Sequence, residues 1–267
     1  MNKESRLQEA YLSRLEKQRR KIMAARILLA LAFFLLWETA ADRGWIDSFF
    51  FSSPSRLGRL FLSMWRDGSL FLHVGITLTE TLVSFALVVV IGLAVSLLLW
   101  LSDSVFQVLE PYLVILNSLP KSALAPLLIV WLGANSRTII VAGMSVAIFG
   151  TILNLYTGFT ETSREKIRLI YTLHGTKKDA LTKVVLPSTV PMIISIMKVN
   201  IGLCLLGVVI GEFIGARNGL GYLIIYGSQV FQLDLVILSI LILCLMAMLL
   251  YGGVTAAEKL YHRRQHA

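Results

Sequence analysis

The chain has 267 residues, of which 56% are hydrophobic and only 15% are charged. Soluble domains are about 45–50% apolar and about 25% charged, so this composition argues against a water-soluble enzyme. It also excludes a disordered chain, because disordered chains are poor in apolar residues. The net charge of +9 would be compatible with nucleic-acid binding, but the basic residues are concentrated between apolar runs, as in membrane proteins.

Six apolar stretches are long enough to cross a bilayer as helices, which takes about 20 residues. Three of them contain no charged residue, one carries charges only towards its ends, and two are each interrupted by one lysine, Lys121 or Lys198. The sequence therefore predicts an all-α polytopic membrane protein with six transmembrane helices. The predicted spans are Ile22–Ala41, Thr81–Ser102, Pro111–Ser136, Thr138–Thr160, Val184–Gly211 and Leu235–Ala257.

Lysine and arginine are distributed unevenly between the two sides that six spans would create. If the N-terminus lies inside, the inner segments hold 17 of the 25 basic residues and the outer segments hold six. Because basic residues concentrate on the cytoplasmic side, we predict that both termini are cytoplasmic. The same distribution accounts for the positive net charge without a nucleic-acid partner.

The predicted topology divides the chain into four regions. Near the N-terminus, Leu7, Tyr11 and Leu15 recur at four-residue spacing, which predicts a basic amphipathic helix that serves as an orientation anchor or as a regulatory or partner-binding segment. Ser53-Pro54-Ser55 predicts the start of an outer amphipathic helix. The regions are 1–26 (the N-terminal helix), 27–74 (the first span and the outer helix), 75–257 (a core of five spans) and 258–267 (a cytoplasmic tail).

The longest predicted cytoplasmic loop, residues 158–187, contains the signals for two short helices. His174-Gly175 is typical of a helix end. Thr176 followed by Asp179 predicts the capped start of a second helix. That second helix would carry one apolar stripe, made of Ala180, Leu181, Val184 and Val185.

Two prolines mark the predicted end of this loop. We expect Pro187 to end the second helix and Pro191 to begin the next span. Two interpretations of the loop are open on physical grounds. A rigid amphipathic helix between two spans would transmit force from a partner, whereas a solvated loop would only place basic residues on the inner side.

The loop resembles the cytoplasmic "EAA" loop of ATP-binding-cassette (ABC) importer permeases. The family pattern is roughly Glu-Ala-Ala, three residues, Gly, then nine residues before Ile-x-Leu-Pro. Leu186-Pro187 matches its end. Counting back places the family glycine on His174, with Gly175 one residue late, and places Arg168-Leu169-Ile170 where the family has Glu-Ala-Ala.

Other segments extend the resemblance over roughly residues 50–255, to the nitrate, sulfonate and taurine branch of the family. They occur in the expected order and on the expected sides of a six-span topology. The matching segments are Leu119-Pro120-Lys121-Ser122-Ala123-Leu124-Ala125-Pro126-Leu127, Trp131-Leu132-Gly133, Gly211-Glu212-Phe213 and Gly219-Leu220-Gly221-Tyr222-Leu223-Ile224.

The resemblance implies a type I ABC importer permease with a MetI-like fold. Such a permease is a homodimer that works by alternating access with two ATPase subunits and an extracytoplasmic solute-binding protein, in a prokaryotic cytoplasmic membrane. ATP and Mg would be bound by the ATPase, and this chain indeed contains no phosphate-binding loop. The residues expected to couple it to the ATPase are Tyr171, Leu173, His174, Gly175, Thr176, Lys177, Lys178, Asp179, Ala180, Leu181 and Pro187.

The resemblance also suggests the solute, a small anion such as a sulfonate, taurine or nitrate, with a riboflavin- or thiamine-precursor-type solute as the alternative. A secondary transporter or channel without an ATPase is the rival from another class. Ion coupling would call for several acidic residues within the spans, whereas Glu80 alone lies deep in one. No catalytic constellation and no metal-ligand cluster is recognisable, so we expect no enzyme activity and no cofactor bound by this chain.

Polar residues within the spans are candidates for the solute pathway. Lys121 follows Pro120, which frees helical carbonyls. It therefore either borders the pathway, with Asn117 and Ser118, or caps those carbonyls or pairs with Glu80. We expect Lys198, near Asn200, to reach the inner headgroups more readily than to contact the solute. The remaining candidates are Asn200 itself, Glu212 as a brace of the outer gate, and Gly207, Gly211 and Gly215 as a helix-packing stripe at the dimer or gate interface.

Overall fold

A computed structural model describes residues 3–265 of the chain and the side chains of residues 17–261. Every regular element in this part of the chain is helical, as predicted. The helices are α1 (Lys3–Asp42), α2 (Ser48–Phe51), α3 (Pro54–Arg66), α4 (Ser69–Leu101), α5 (Asp103–Ser118), α6 (Lys121–Leu132), α7 (Ser136–Thr160), α8 (Arg164–Thr172), α9 (Lys177–Ala180), a π-helical turn (Leu181–Val185), α10 (Leu186–Gly215), α11 (Leu220–Gln229) and α12 (Leu233–Gln265).

The chain forms two compact units, residues 1–63 and residues 64–267. In the first unit, the Glu38 carboxylate of α1 accepts hydrogen bonds from the Ser55 amide at 2.9 Å and from the Ser55 hydroxyl at 2.6 Å. The Trp37 indole N–H donates to the Phe51 carbonyl at 3.2 Å. Glu38 at the end of the predicted first span therefore anchors the start of α3.

The predicted N-terminal helix and the predicted first span form one helix. No break separates a surface helix from the first span, because α1 runs without interruption from Lys3 to Asp42. The expected apolar face of Leu7, Tyr11 and Leu15 lies outside the residues whose side chains the structure describes. The outer helix begins at Pro54, as predicted.

Five helical segments are long and apolar enough to cross a membrane, and a bent pair of helices brings the number up to six. The bent pair is α5 and α6, which meet at an angle of 95° around Leu119 and Pro120. The predicted third span, Pro111–Ser136, is thus broken at the proline that was expected to disrupt it. The other five are Lys17–Asp42, Ser69–Leu101, Ser136–Thr160, Lys177–Gly215 and Leu233–Tyr261.

Small residues bring α4, α7 and α10 close together in the second unit. A Cβ atom added to Gly207 of α10 would lie 2.8 Å from the Gly143 Cα atom of α7. The Ser84 hydroxyl of α4 donates to the Ile140 carbonyl of α7 at 3.0 Å. Close backbone approach and interhelical hydrogen bonds are the main sources of helix association in lipid, where apolar side chains gain little from leaving the solvent.

This packing corrects the assignment of the glycine stripe. Gly207 and Gly211 are buried against α7, and Gly215 faces Ile129 of α6, all within one chain. They were expected at a dimer or gate interface. The sequence period identifies a face on which helices approach closely, but it does not say which helix occupies that face.

The chain stays helical through Pro187, where a helix end was expected. The segment from Lys177 to Gly215 is one continuous span candidate, and its first part contains the π-helical turn. There the Leu186 N–H donates to the Leu181 carbonyl, five residues back. Proline usually breaks a helix because its ring clashes with the carbonyl four residues earlier, and the wider π turn directly before Pro187 accommodates that ring.

We predict that Gly207→Ala destabilises the protein and that Gly202→Ala does not. The new Cβ atom at Gly207 would meet the backbone of α7, whereas nothing lies within 4 Å of the corresponding position at Gly202. Overpacking of this kind costs about 1–3 kcal/mol. Thermal unfolding of the two variants in the same detergent checks the prediction, and equal melting temperatures would contradict the close approach of α7 and α10.

Candidate coupling hairpin and transmembrane cavity

The first candidate site is a hairpin made of α8, the turn 173–176 and α9. The His174 N–H donates to the Tyr171 carbonyl at 3.0 Å and the Gly175 N–H to the Ile170 carbonyl at 2.9 Å, which is the hydrogen-bond pattern of a Schellman cap. His174 has a φ of +58°. It thus occupies the left-handed position that usually selects glycine, and it is the residue on which the family glycine falls by sequence.

The second helix of the hairpin starts with the capping box predicted from the sequence. The Asp179 amide donates to the Thr176 hydroxyl at 3.2 Å, and the Thr176 amide donates to the Asp179 carboxylate at 2.9 Å. Lys183 lies 3.2 Å from the same carboxylate. The chain direction after the turn is therefore fixed by local hydrogen bonds.

The hairpin is attached to the ends of two long helices by an apolar cluster. Ala180, Leu181 and Val185 pack with a set of buried residues that comprises Trp100 of α4 and Leu155 and Phe159 of α7. The Lys177 ammonium group lies 5.4 Å from the centre of the Trp100 ring and 3.7 Å from the Asp103 carboxylate. Ala180 and Leu181, predicted as coupling residues, therefore face the bundle and hold the hairpin in place.

The tip of the hairpin carries exposed apolar side chains. Leu173 is 70% exposed, Leu169 59% and Tyr171 45%. Exposed apolar residues grouped on a small surface mark sites of protein or membrane contact. Of the residues predicted to couple the chain to an ATPase, Tyr171, Leu173, His174, Thr176 and Lys178 are available at this surface.

The second candidate site is a cavity of about 170 Å³ among α5, α7 and α10. Two predicted pathway residues, Asn117 and Asn200, both line it. Sequence reasoning missed Asn154 and Ser195, which line the same cavity, because isolated polar residues in two other regions of the chain give no signal of proximity. Asn200 is only 3% exposed, and its Nδ2 atom has no hydrogen-bond partner among the described residues.

Lys121 and Ser118 are not among the residues that line this cavity. The Lys121 ammonium group donates to the Asn117 carbonyl at the break between α5 and α6, and the Ser118 hydroxyl donates to the Val114 carbonyl at 2.8 Å. Both side chains thus satisfy backbone carbonyls close to the break. Of the alternatives considered for Lys121, this geometry favours the capping of freed carbonyls.

Lys198 forms an ion pair with Glu258 of α12 at 2.5 Å, and both side chains are about four-fifths buried. Lys198 was expected to reach the inner headgroups, but in the structure its partner is Glu258 of the same chain. No sequence pattern links two residues that lie 60 positions apart. A buried pair of this kind fixes α12 against α10, because removing either partner would leave an uncompensated charge.

Glu212 lies at the centre of a buried hydrogen-bond network at the other end of α10. It accepts a hydrogen bond from the Thr77 hydroxyl at 2.6 Å and one from the Gly221 amide at 2.6 Å. The Thr77 hydroxyl in turn accepts from the Leu220 amide at 2.8 Å, and the His73 Nδ1 atom accepts from the Gly219 amide at 3.0 Å. The network joins α4, α10 and the start of α11.

The Glu212 carboxyl group is also closely packed against the backbone of its neighbours. Gly219 has a φ of +115°, and a Cβ atom there would lie 2.3 Å from a Glu212 carboxylate oxygen. Gly221 would clash with the other oxygen at 2.7 Å. Glu80, also buried, is adjacent to the Glu212 carboxyl group and to Ser136. Glycine at positions 219 and 221, at the start of α11, is therefore required by the approach of a buried carboxyl group.

A model of the family described as "Binding-protein-dependent transport system inner membrane component" matches residues 88–265, which include the hairpin, the cavity and Glu212. The chain belongs to this family. Its members are permease subunits of ABC transporters rather than enzymes, as the sequence predicted.

Relatives match the permease over most of its length. A probable ABC transporter permease protein of Haemophilus influenzae is 30% identical over 237 residues, covering 89% of this chain and 95% of that protein. A formylaminopyrimidine transport permease protein of Halalkalibacterium halodurans is 27% identical, covering 87% and 92%. A taurine transport system permease protein of Escherichia coli is 24% identical, covering 84% and 83%.

A solved structure shares the fold of the permease. The inward-facing methionine ABC transporter MetNI superposes with a TM-score of 0.60 at 20% sequence identity, covering 69% of this chain and 92% of that chain. The expected MetI-like permease fold is thereby confirmed.

We predict that His174→Gly stabilises the hairpin and that Gly175→Ala destabilises it. A non-glycine residue in the left-handed region costs roughly 1–2 kcal/mol, whereas a Cβ atom at position 175 would lie 2.5 Å from the Ile170 side chain. Hydrogen exchange of the amides of residues 173–176 measures both effects. Slower exchange in the Gly175→Ala variant than in the unaltered permease would show that the cap is wrongly described.

We predict that Glu212→Ala releases the start of α11 from the bundle. The Thr77 hydroxyl and the Gly221 amide would lose their acceptor, and each buried donor left without a partner costs about 1–3 kcal/mol. Glu212→Gln keeps one acceptor oxygen and should have an intermediate effect. Exposed Glu161 provides the control as Glu161→Ala, and a Glu212→Ala variant that melts at the same temperature as this control would refute the bracing role.

Proposed function

We propose that this permease is the membrane subunit of an ATP-driven importer that moves a small solute into the cytoplasm by alternating access. It would act as a homodimer with two ATPase subunits and an extracytoplasmic solute-binding protein. ATP and Mg would be bound by the ATPase subunits. The single observation that carries the proposal is the hairpin, which is anchored in the bundle by Ala180, Leu181 and Val185 and exposes apolar side chains at its tip.

The proposed mechanism follows from this attachment. ATP-driven closure of the ATPase pair would draw the two hairpins together. Because each hairpin packs on Trp100 of α4 and on Leu155 and Phe159 of α7 and continues into α10, the three long helices would move with it. The cavity would then open outward, and after ATP hydrolysis it would open to the cytoplasm.

The proposed location is a prokaryotic cytoplasmic membrane, with both termini in the cytoplasm. The distribution of basic residues supports this orientation, with 17 of 25 in the segments assigned to the inner side. The hairpin falls on the same side, where an ATPase would be available.

The solute is proposed as one of two classes. The name of the Escherichia coli relative refers to taurine, and that of the Halalkalibacterium relative to a formylaminopyrimidine. An anion such as a sulfonate, taurine or nitrate was the expectation, and Lys121 would suit an anion if it bordered the pathway. The Lys121 ammonium group instead donates to the Asn117 carbonyl, so the argument for an anion loses its main support from the residues.

The test of the proposed function is Leu173→Asp. Leu173 is 70% exposed, so the fold should tolerate the change, whereas a carboxylate buried in an interface would cost affinity. Loss of a hot-spot residue at the centre of an interface costs about 2 kcal/mol or more, a factor of about 30. We expect the ATPase subunit to be lost from the purified complex and solute-stimulated ATP hydrolysis to fall accordingly.

The matched control is Trp45→Asp, an equally apolar residue that is 68% exposed and is expected on the outer side. It should leave ATPase binding unchanged. Full ATPase binding by the Leu173→Asp variant would argue against the hairpin as the docking surface. Solute flux through the purified permease alone would favour the rival class, a channel or secondary transporter.

A further inference from the structure

The cavity among α5, α7 and α10 presents polar groups where the surrounding helices are otherwise apolar. Three asparagines line it, Asn117, Asn154 and Asn200, together with Ser195 and Thr151. Each residue comes from a helix of the membrane-spanning unit. The cavity is therefore a polar site within a membrane protein, and the rest of its lining is apolar or glycine.

Exposed polar residues border the open side of the cavity. Asn154 and Ser195 are exposed on the surface of the single chain. Polar side chains within spanning segments almost always face the interior of a bundle or a water-filled space, because lipid cannot satisfy their hydrogen bonds. This face of the permease is thus suited to border an aqueous path.

One of the lining residues has a side-chain nitrogen without a hydrogen-bond partner among the described residues. The side chain of Asn200 is 97% buried, and its Nδ2 donors make no hydrogen bond to the described residues. A buried donor left unpaired costs about 1–3 kcal/mol, so such groups call for an explanation such as a bound molecule. Asn200 is one of the residues that line the cavity.

The uncharged lining of the cavity limits which molecules it can bind. Among the described residues that line it, none is charged. The nearest lysines in sequence are both engaged, Lys121 with the Asn117 carbonyl and Lys198 with Glu258. A solute with charged groups, whether an anion or a zwitterion such as taurine, would find no counter-charge in this lining.

We propose that this cavity is the solute-recognition site of the permease and that it selects a small uncharged solute with adjacent hydrogen-bond donors and acceptors, such as an aminopyrimidine. This inference rests on the proposed function. Each asparagine amide offers both a donor and an acceptor, which matches the edge of such a solute. The volume of about 170 Å³ equals that of about six waters at about 30 Å³ each, enough for one small ring with substituents.

The test measures binding to the permease–ATPase complex in lipid nanodiscs without nucleotide and without the solute-binding protein. The probes are radiolabelled 4-aminopyrimidine and radiolabelled taurine, with nitrate as an unlabelled competitor. We expect 4-aminopyrimidine to bind at least tenfold more tightly than taurine and to resist competition by nitrate. We expect Asn200→Ala, and Asn200→Asp with its near-identical shape, each to weaken that binding at least tenfold.

The control variant is Asn218→Ala, which removes an exposed asparagine amide outside this cavity and should bind as the unaltered permease does. Melting temperatures and retention of the ATPase show that each variant is folded. Tighter binding of taurine, displacement by nitrate, unchanged binding by the Asn200 variants or binding of neither probe would each overturn the inference. Failure of the ATPase to co-purify would instead count against the proposed function.

Discussion

The structure depends on the close packing of α7 between α4 and α10. In lipid, helices gain little from burying apolar side chains, so association relies on close contact and on interhelical hydrogen bonds. Gly143 and Gly207 permit the contact of α7 with α10, and Ser84 and Ser96 donate from α4 to backbone carbonyls of α7. The hairpin packs on the ends of α4 and α7 and continues into α10, so a force on it would reach all three helices.

The same helices carry the Glu212 network at their other end. Leu181 and Glu212 are 31 residues apart along one helical segment, a distance of about 45 Å at about 1.5 Å per residue. A physical route for coupling therefore exists between the hairpin and the start of α11. A route alone does not make a switch, because coupling also needs an element with two arrangements. The π turn before Pro187 is the position in this segment where the regular helical bonding is already interrupted.

Local features were predictable from the sequence, and long-range pairings were not. The capping box of Thr176 and Asp179, the start of α3 at Pro54 and the break near Pro120 all rest on residues within a few positions of each other. The partner of the glycine stripe and the pairing of Lys198 with Glu258 depend on how distant helices pack, which a single sequence does not record. Pro187 misled because a π turn removes the clash that normally ends a helix.

Lys121 and the asparagines of the cavity show why the charge of a residue is a poor guide to its function in a membrane protein. A lysine in lipid is so costly that the chain tends to satisfy it locally, and Lys121 does so through the carbonyl of Asn117. Asn200 carries no charge, so the sequence gives a weaker signal for it than for a lysine. Its Nδ2 atom nevertheless has no partner among the described residues, and Asn200 lines a polar cavity. A polar cavity lined by neutral side chains is therefore a stronger sign of a site than a lysine whose ammonium group the chain satisfies locally.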